Sequence, residues 1–207
     1  MCIFGLFSIY NKFKYRKWIG FTPAQRERVL EKIEEKQAKK LGRKPLPLVI
    51  NDDPNWHCYG SFEANTNGRQ ILKLSINLID NPKLRYHALE TILHEGRHAY
   101  QYEQITKKRI SPFNFKAKKW RANYSGYISS LEDKTIYGMQ PIERDAQKYA
   151  IIQMEKHSFK FRNEADYQST MRSMLYRYEE TERQAKQQLG LFYKFKMNKR
   201  IKDKSRK

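Results

Sequence analysis

His94 and His98 stand four residues apart in the stretch TILHEGRHAYQ, with Glu95 directly after the first. Four residues are a little over one helical turn, so on a helix both imidazoles leave the same face. Two imidazoles at that spacing can hold one ion at about 2.0 to 2.1 Å, the distance zinc requires. Glu95 lies about 100° further round the helix, badly placed to share the ion but within reach of a water beside it. H-E-x-x-H thus offers two ligands and one base within a single turn. Ile92, Leu93, Ala99 and Tyr100 make the surrounding helix largely apolar, a costly setting for unpaired imidazoles.

A catalytic zinc takes a third protein ligand and keeps one position open. The stretch QPIERDAQKYA offers Glu143 and Asp145 in the first turn of another helix. Glu143 is preferred, because Ala146, three residues on, lies on its side and lets two helices approach closely. Asp145 is the alternative ligand. Arg97, between the two histidines, is expected to support the site by pairing with a carboxylate, Asp145 being the candidate. His57 and His87 read as ordinary surface or packed histidines.

These residues need elements to position them. Thr22 and Pro23 mark a helix start, Val29, Leu30, Ile33, Ala38 and Leu41 fall near one face, and Gly42 can end it. KPLPLVIND reads as a short strand. Residues 56–79 read as a hairpin about the turn NTNG, its second strand alternating Leu72, Leu74, Ile76 and Leu78 with more polar positions. A long helix is expected from about Pro82 to about Gln104, another from Pro141, and a last amphipathic one over about 164–189. One helix, then strands, then helices alone is an α+β order with a small, partly antiparallel sheet.

Together, LHEGRHAYQ and the later YGMQPIERDAQKYA resemble the zincin metallopeptidases of the gluzincin kind, in which a later glutamate completes an H-E-x-x-H site. The likeness is greatest to small bacterial members carried by phages and mobile elements and to toxin-type effector domains. Their first motif often reads H-E-x-R-H-A-x-Q and their second P-x-E-x-D-A. It spans roughly residues 45–155. The resemblance implies a zincin-like fold, with a small, mostly antiparallel sheet packed on the active-site helix and a helical C-terminal half. It implies Zn2+ held by His94, His98 and Glu143, with Glu95 as general base in peptide-bond hydrolysis. Glu95 would move a proton from a zinc-activated water to the leaving amine, and one more donor would steady the oxyanion. Tyr137 is the candidate donor, with Tyr124 as second choice. The strand at 70–78, with Lys73, Ser75 and Asn77, would be the sheet edge that receives an extended peptide. The implied partners are a peptide or protein substrate and, for a toxin-type protein, an immunity or inhibitor protein.

The charge of this 207-residue chain points elsewhere as well. Forty-two Lys and Arg against 22 Asp and Glu leave +20, a balance that favours nucleic acid, anionic membrane or an acidic partner. Basic clusters at Lys12–Lys17, Lys116–Arg121 and Lys194–Lys207 interleave with aromatic residues. The competing reading is therefore a basic binding protein with a structural or vestigial zinc site. Cys2 and Cys58 form no disulfide framework. The N-terminal stretch places its apolar residues before its basic ones, the reverse of a secretory signal. The expected location is the cytoplasm, with delivery by a route that needs no signal left open. The expected divisions are an apolar and basic segment at 1–21, a zincin-like domain at 22–190 and a basic tail at 191–207.

Overall fold

The structure, a computed structural model, describes residues 9–107, 111 and 113–204, with residues 134 and 188–204 by backbone alone. A short helix α1 (Tyr15–Trp18) precedes α2 (Pro23–Leu41). The side chain of Thr22 accepts the Gln25 N–H at 3.3 Å and that of Gln25 accepts the Thr22 N–H at 2.8 Å, a reciprocal cap. Gly42 closes α2 in the left-handed conformation. Strands β1 (Leu48–Asn51), β2 (Gly60–Ala64) and β3 (Gln70–Ser75) follow, then α3 (Ile76–Asp80) and α4 (Arg85–Thr106). The rest is helical: α5 (Phe115–Tyr124), α6 (Lys134–Met139), α7 (Pro141–Glu155) and α8 (Ala165–Lys204).

The class is mixed α+β and mostly helical, but the sheet departs from expectation. Its order is β1-β3-β2. β1 pairs parallel with β3 (Leu48 opposite Leu72) and β2 antiparallel (Gly60 opposite Leu74), so the sheet is mixed rather than mostly antiparallel. β3 is central, with pairing strands on both sides. Lys73 and Ser75 therefore lie on no sheet edge, and the second strand of the hairpin stops short of 78. Asn77 falls in α3, because the Ser75 hydroxyl accepts the Asn77 N–H at 3.3 Å and caps a helix there. Leu78 reaches the core from that helix, which is why the alternation looked unbroken.

α4 runs through the middle of the molecule, with α2 on one flank and α7 on another. Leu30, Ile33, Leu72, Leu74, Leu89 and Ile92 are completely buried between α2, the sheet and α4. Each such side chain contributes about 1.5 to 3 kcal/mol of hydrophobic stabilisation. Residues 1–8 of the 1–21 segment lie outside the described residues, while Tyr10, Phe13 and Trp18 pack into the same core. α8 runs past the 164–189 expected, and the side chains of the 191–207 tail lie outside the described residues. No described helix is long and apolar enough to cross a membrane.

Candidate metal centre

His94 and His98 project from the middle of α4 toward the first turn of α7. Pro141 opens α7, and Glu143 sits in its first turn, where a carboxylate meets the positive end of the helix. Gln140, just before, is buried and anchors the incoming loop. Its Oε1 accepts from Asn123 Nδ2 at 2.9 Å and from the Ile128 N–H at 3.0 Å, and its Nε2 donates to the Ile128 carbonyl at 2.7 Å. Ala99 and Ala146 are fully buried.

The three donor atoms converge. His94 Nε2 and His98 Nε2 are 3.0 Å apart, and Glu143 Oε2 is 3.3 Å from the first and 3.4 Å from the second. A tetrahedral ion with ligands at about 2.0 to 2.1 Å separates them by about 3.3 Å, so the spacing suits zinc. Glu143 Oε2 is buried without a hydrogen-bond partner, whereas its Oε1 accepts from Tyr127 Oη at 2.8 Å. Leaving a buried carboxylate oxygen unmatched is costly, and a cation between it and the two imidazoles removes that cost. Each imidazole keeps 13% of its side-chain surface exposed, so both rings touch solvent while Glu143 is buried. His94, His98 and Glu143 therefore form a group able to hold a metal ion.

Electrostatics point the same way. Burial alone would push the His98 imidazole down, but the Glu143 carboxylate overrides it and raises it to about 9. Burial likewise opposes ionisation of Glu143, yet His98 and His94 hold its carboxyl well below the usual carboxylate range. The pocket favours positive charge.

Gln101 sets the orientation of one ligand. Its Nε2 donates to the Ile142 carbonyl at 2.9 Å and to Asp145 Oδ2 at 3.0 Å, which turns its Oε1 to His98 Nδ1 at 2.8 Å. An acceptor at Nδ1 fixes the hydrogen there and leaves the Nε2 lone pair facing the group. Asp145, the alternative ligand, is engaged elsewhere. Arg97 Nε donates to its Oδ2 at 2.7 Å, and Lys116 Nζ is 3.6 Å from its Oδ1. The Arg97 guanidinium also lies 4.6 Å over the Tyr100 ring and 5.3 Å over Trp120.

Glu95 is buried beside the three donors. Its charge acts on His98, Tyr127 and Tyr137, and it is not one of the converging ligands. Tyr137 packs on Tyr127, ring centroids 6.2 Å apart. Burial first and the Glu143 carboxylate second hold both phenols well above their ordinary value, so both remain hydrogen-bond donors. Tyr124 stands apart, half exposed against Tyr102. His57 is exposed, and His87 Nδ1 lies 3.3 Å from Glu90.

Two participants went unread in the sequence. Tyr127 is one of fourteen tyrosines, and nothing local marks it. Gln101 did carry a signal, for three residues beyond His98 is one helical turn on the same face.

On the opposite side of α4, α2 grips the motif. Gln37 Nε2 donates to the Ile92 carbonyl at 2.6 Å and Arg43 Nη2 to the Gly96 carbonyl at 3.0 Å. A Cβ on Gly96 would collide with the Gln37 amide and crowd Arg43 Nη2, so glycine is what lets both side chains reach the α4 carbonyls undisturbed. Compared with protein-family models, curated proteins and solved structures, the chain matches none.

Proposed function

We propose that this chain is a zinc-dependent peptidase of the zincin type. The observation that carries the reading is the buried, partnerless Glu143 Oε2, held 3.3 and 3.4 Å from two imidazole nitrogens that share one face of α4. Three protein donors with a neighbouring carboxylate suit a catalytic site, since structural zinc sites close with four. Zinc bound there would supply a Lewis acid for a carbonyl oxygen and bring the pKa of a water to near 7.

The chain's own residues do the rest. Glu95 accepts a proton from the attacking water and delivers it to the leaving amine. Tyr137, kept protonated, is the donor available to a developing oxyanion, while Tyr127 spends its one hydrogen on bracing Glu143. Asp145 and Arg97 hold Gln101 in place, and through it His98.

An extended peptide needs a free strand edge, and β2 provides it in place of β3. Phe62 of β2 lies 5.5 Å from Tyr102, and Tyr59, just before β2, lies 5.8 Å from His87. Both partners share the α4 face that carries His94 and His98.

The test compares the native chain with Glu95→Gln for zinc content and for cleavage of an unfolded protein substrate. Both should carry one zinc, and the variant should lose activity by about 100-fold or more. A zinc-loaded native chain that cleaves nothing, or a variant that cleaves equally well, overturns the proposal.

A further inference from the structure

Between Glu103 and Glu132 the chain carries seven Lys and Arg and no acidic residue. The segment that overlaps it is unusually apolar on its surface, although its last two apolar residues, Leu131 and Ile136, flank the acidic Glu132 and Asp133. Of the twelve large exposed apolar side chains among the described residues, six lie between 113 and 136: Phe113, Phe115, Tyr124, Tyr127, Leu131 and Ile136. Isolated exposed apolar residues are ordinary, but a pair such as Phe113 and Phe115, with only basic residues among the charged neighbours in sequence, marks an interaction surface.

α5 shows how the two features combine. Ala117 and Trp120 are buried on its inner side, where the helix packs on α4 and α7. Phe115, Lys118, Lys119 and Ala122 share the outer side at helical spacing and are all exposed. Lys118 Nζ lies 5.8 Å from the Phe115 ring centroid. Asn114 caps the helix by accepting the Ala117 N–H at 3.0 Å, so Phe113 stands just before the cap and Phe115 is the first residue of the helix. They are 85% and 74% exposed.

We propose that the tip and outer face of α5 dock the protein on an anionic lipid surface, with Phe113 and Phe115 entering the interface and Lys118 and Lys119 among the headgroups. Among the described residues, none walls in rings this exposed. Bases that stack on a protein usually lie along a charged groove that tracks the strand, whereas a projecting pair of phenyls with flanking ammonium groups suits insertion into a lipid interface. Because α5 packs directly on the helices bearing His94, His98 and Glu143, docking would hold the metal centre about one helix diameter, roughly 10 Å, from the contact face.

The inference stands independently of the zinc chemistry, and its test reads binding alone. The full chain is sedimented with vesicles of phosphatidylcholine, with and without about 30% phosphatidylserine, at physiological salt. Binding should require the anionic lipid. Phe113→Ser combined with Phe115→Ser leaves the net charge unchanged and should weaken vesicle binding at least about tenfold. Lys118→Gln with Lys119→Gln should weaken it about 25-fold, near fivefold per lysine. Circular dichroism should not change, because neither ring is buried. A native chain that ignores anionic vesicles overturns the proposal. So does a phenylalanine pair variant that binds them as the native chain does, which would leave only general charge attraction. Loss of single-stranded oligonucleotide binding in that variant, with vesicle binding intact, would assign the rings to nucleic acid instead.

Discussion

Two glutamates are buried on opposite sides of α4, and their surroundings differ. Glu34, 1% exposed, faces the α2 side with both oxygens occupied. Arg43 binds it through two nitrogens, Gln37 Nε2 donates at 2.8 Å and the Leu46 N–H at 3.0 Å. Glu143, 3% exposed, faces the α7 side with one oxygen bonded to Tyr127 and the other aimed at two imidazole nitrogens, 3.3 and 3.4 Å away, without a hydrogen bond. A buried charge with every lone pair matched holds a fold together. One left unmatched beside other donor atoms is a place for a cation.

The sharpest way to break this contrast is to remove each carboxylate. Glu34→Ala strands the Arg43 charge in the interior and should cost about 3 to 5 kcal/mol of stability in denaturant unfolding. Glu143→Gln keeps the shape and the acceptor for Tyr127, and the imidazoles left behind can shed their protons, so in the metal-free protein it should cost less than Glu34→Ala, whose Arg43 cannot become neutral. Equal losses would erase the distinction. Gly96→Ala comes next. Its methyl group collides with the Gln37 amide, and such overpacking should cost about 1 to 3 kcal/mol, read as a lower melting temperature.

Gln101→Ala sharpens the other side of the contrast. It frees the His98 ring without touching a donor atom, and zinc affinity measured by competition with a chelator should fall about 10- to 100-fold. Unchanged affinity would show that the ring is held by packing alone.

The smallest effect concerns an unmatched atom that is not a site. His157 Nδ1 is also buried without a partner, but the ring stacks on Tyr10 at 3.6 Å. Burial first, then Lys36, Lys160, Lys40 and Lys156, push it down to about 4. Surroundings this cationic repel a metal ion. The unfolded chain protonates this histidine near its ordinary value of about 6.5, while the folded chain resists until about 4. Its share of stability is thus complete above about 6.5 and is lost as pH falls toward about 4. His157→Phe should flatten the unfolding free energy across that window, and an unaltered slope would contradict this.

Much of the metal group was legible because it depends on local spacing. His94 and His98 need only one helix, and Pro141 with Glu143 announces the start of another. Strand order was not legible, since an alternating pattern such as that of Leu72 and Leu74 buries one face but does not say which strands flank it. The edge position implied for β3 rests on the resemblance alone, and nothing in the sequence of β2 marks it as an edge. Ser75 hid a helix start inside a continuing alternation, because Leu78 enters the core from either conformation. The α2 grip on Gly96 was equally hidden. Gln37 and Arg43 look like surface residues until Glu34 gives them a buried partner.

Zinc X-ray absorption on the metal-loaded chain tests the centre most directly. The expected first shell contains two imidazole nitrogens and a carboxylate oxygen at about 2.0 to 2.2 Å, with one imidazole lost in His98→Ala and the carboxylate lost in Glu143→Ala. A zinc environment that neither substitution alters, or a chain that takes up no zinc, would contradict it.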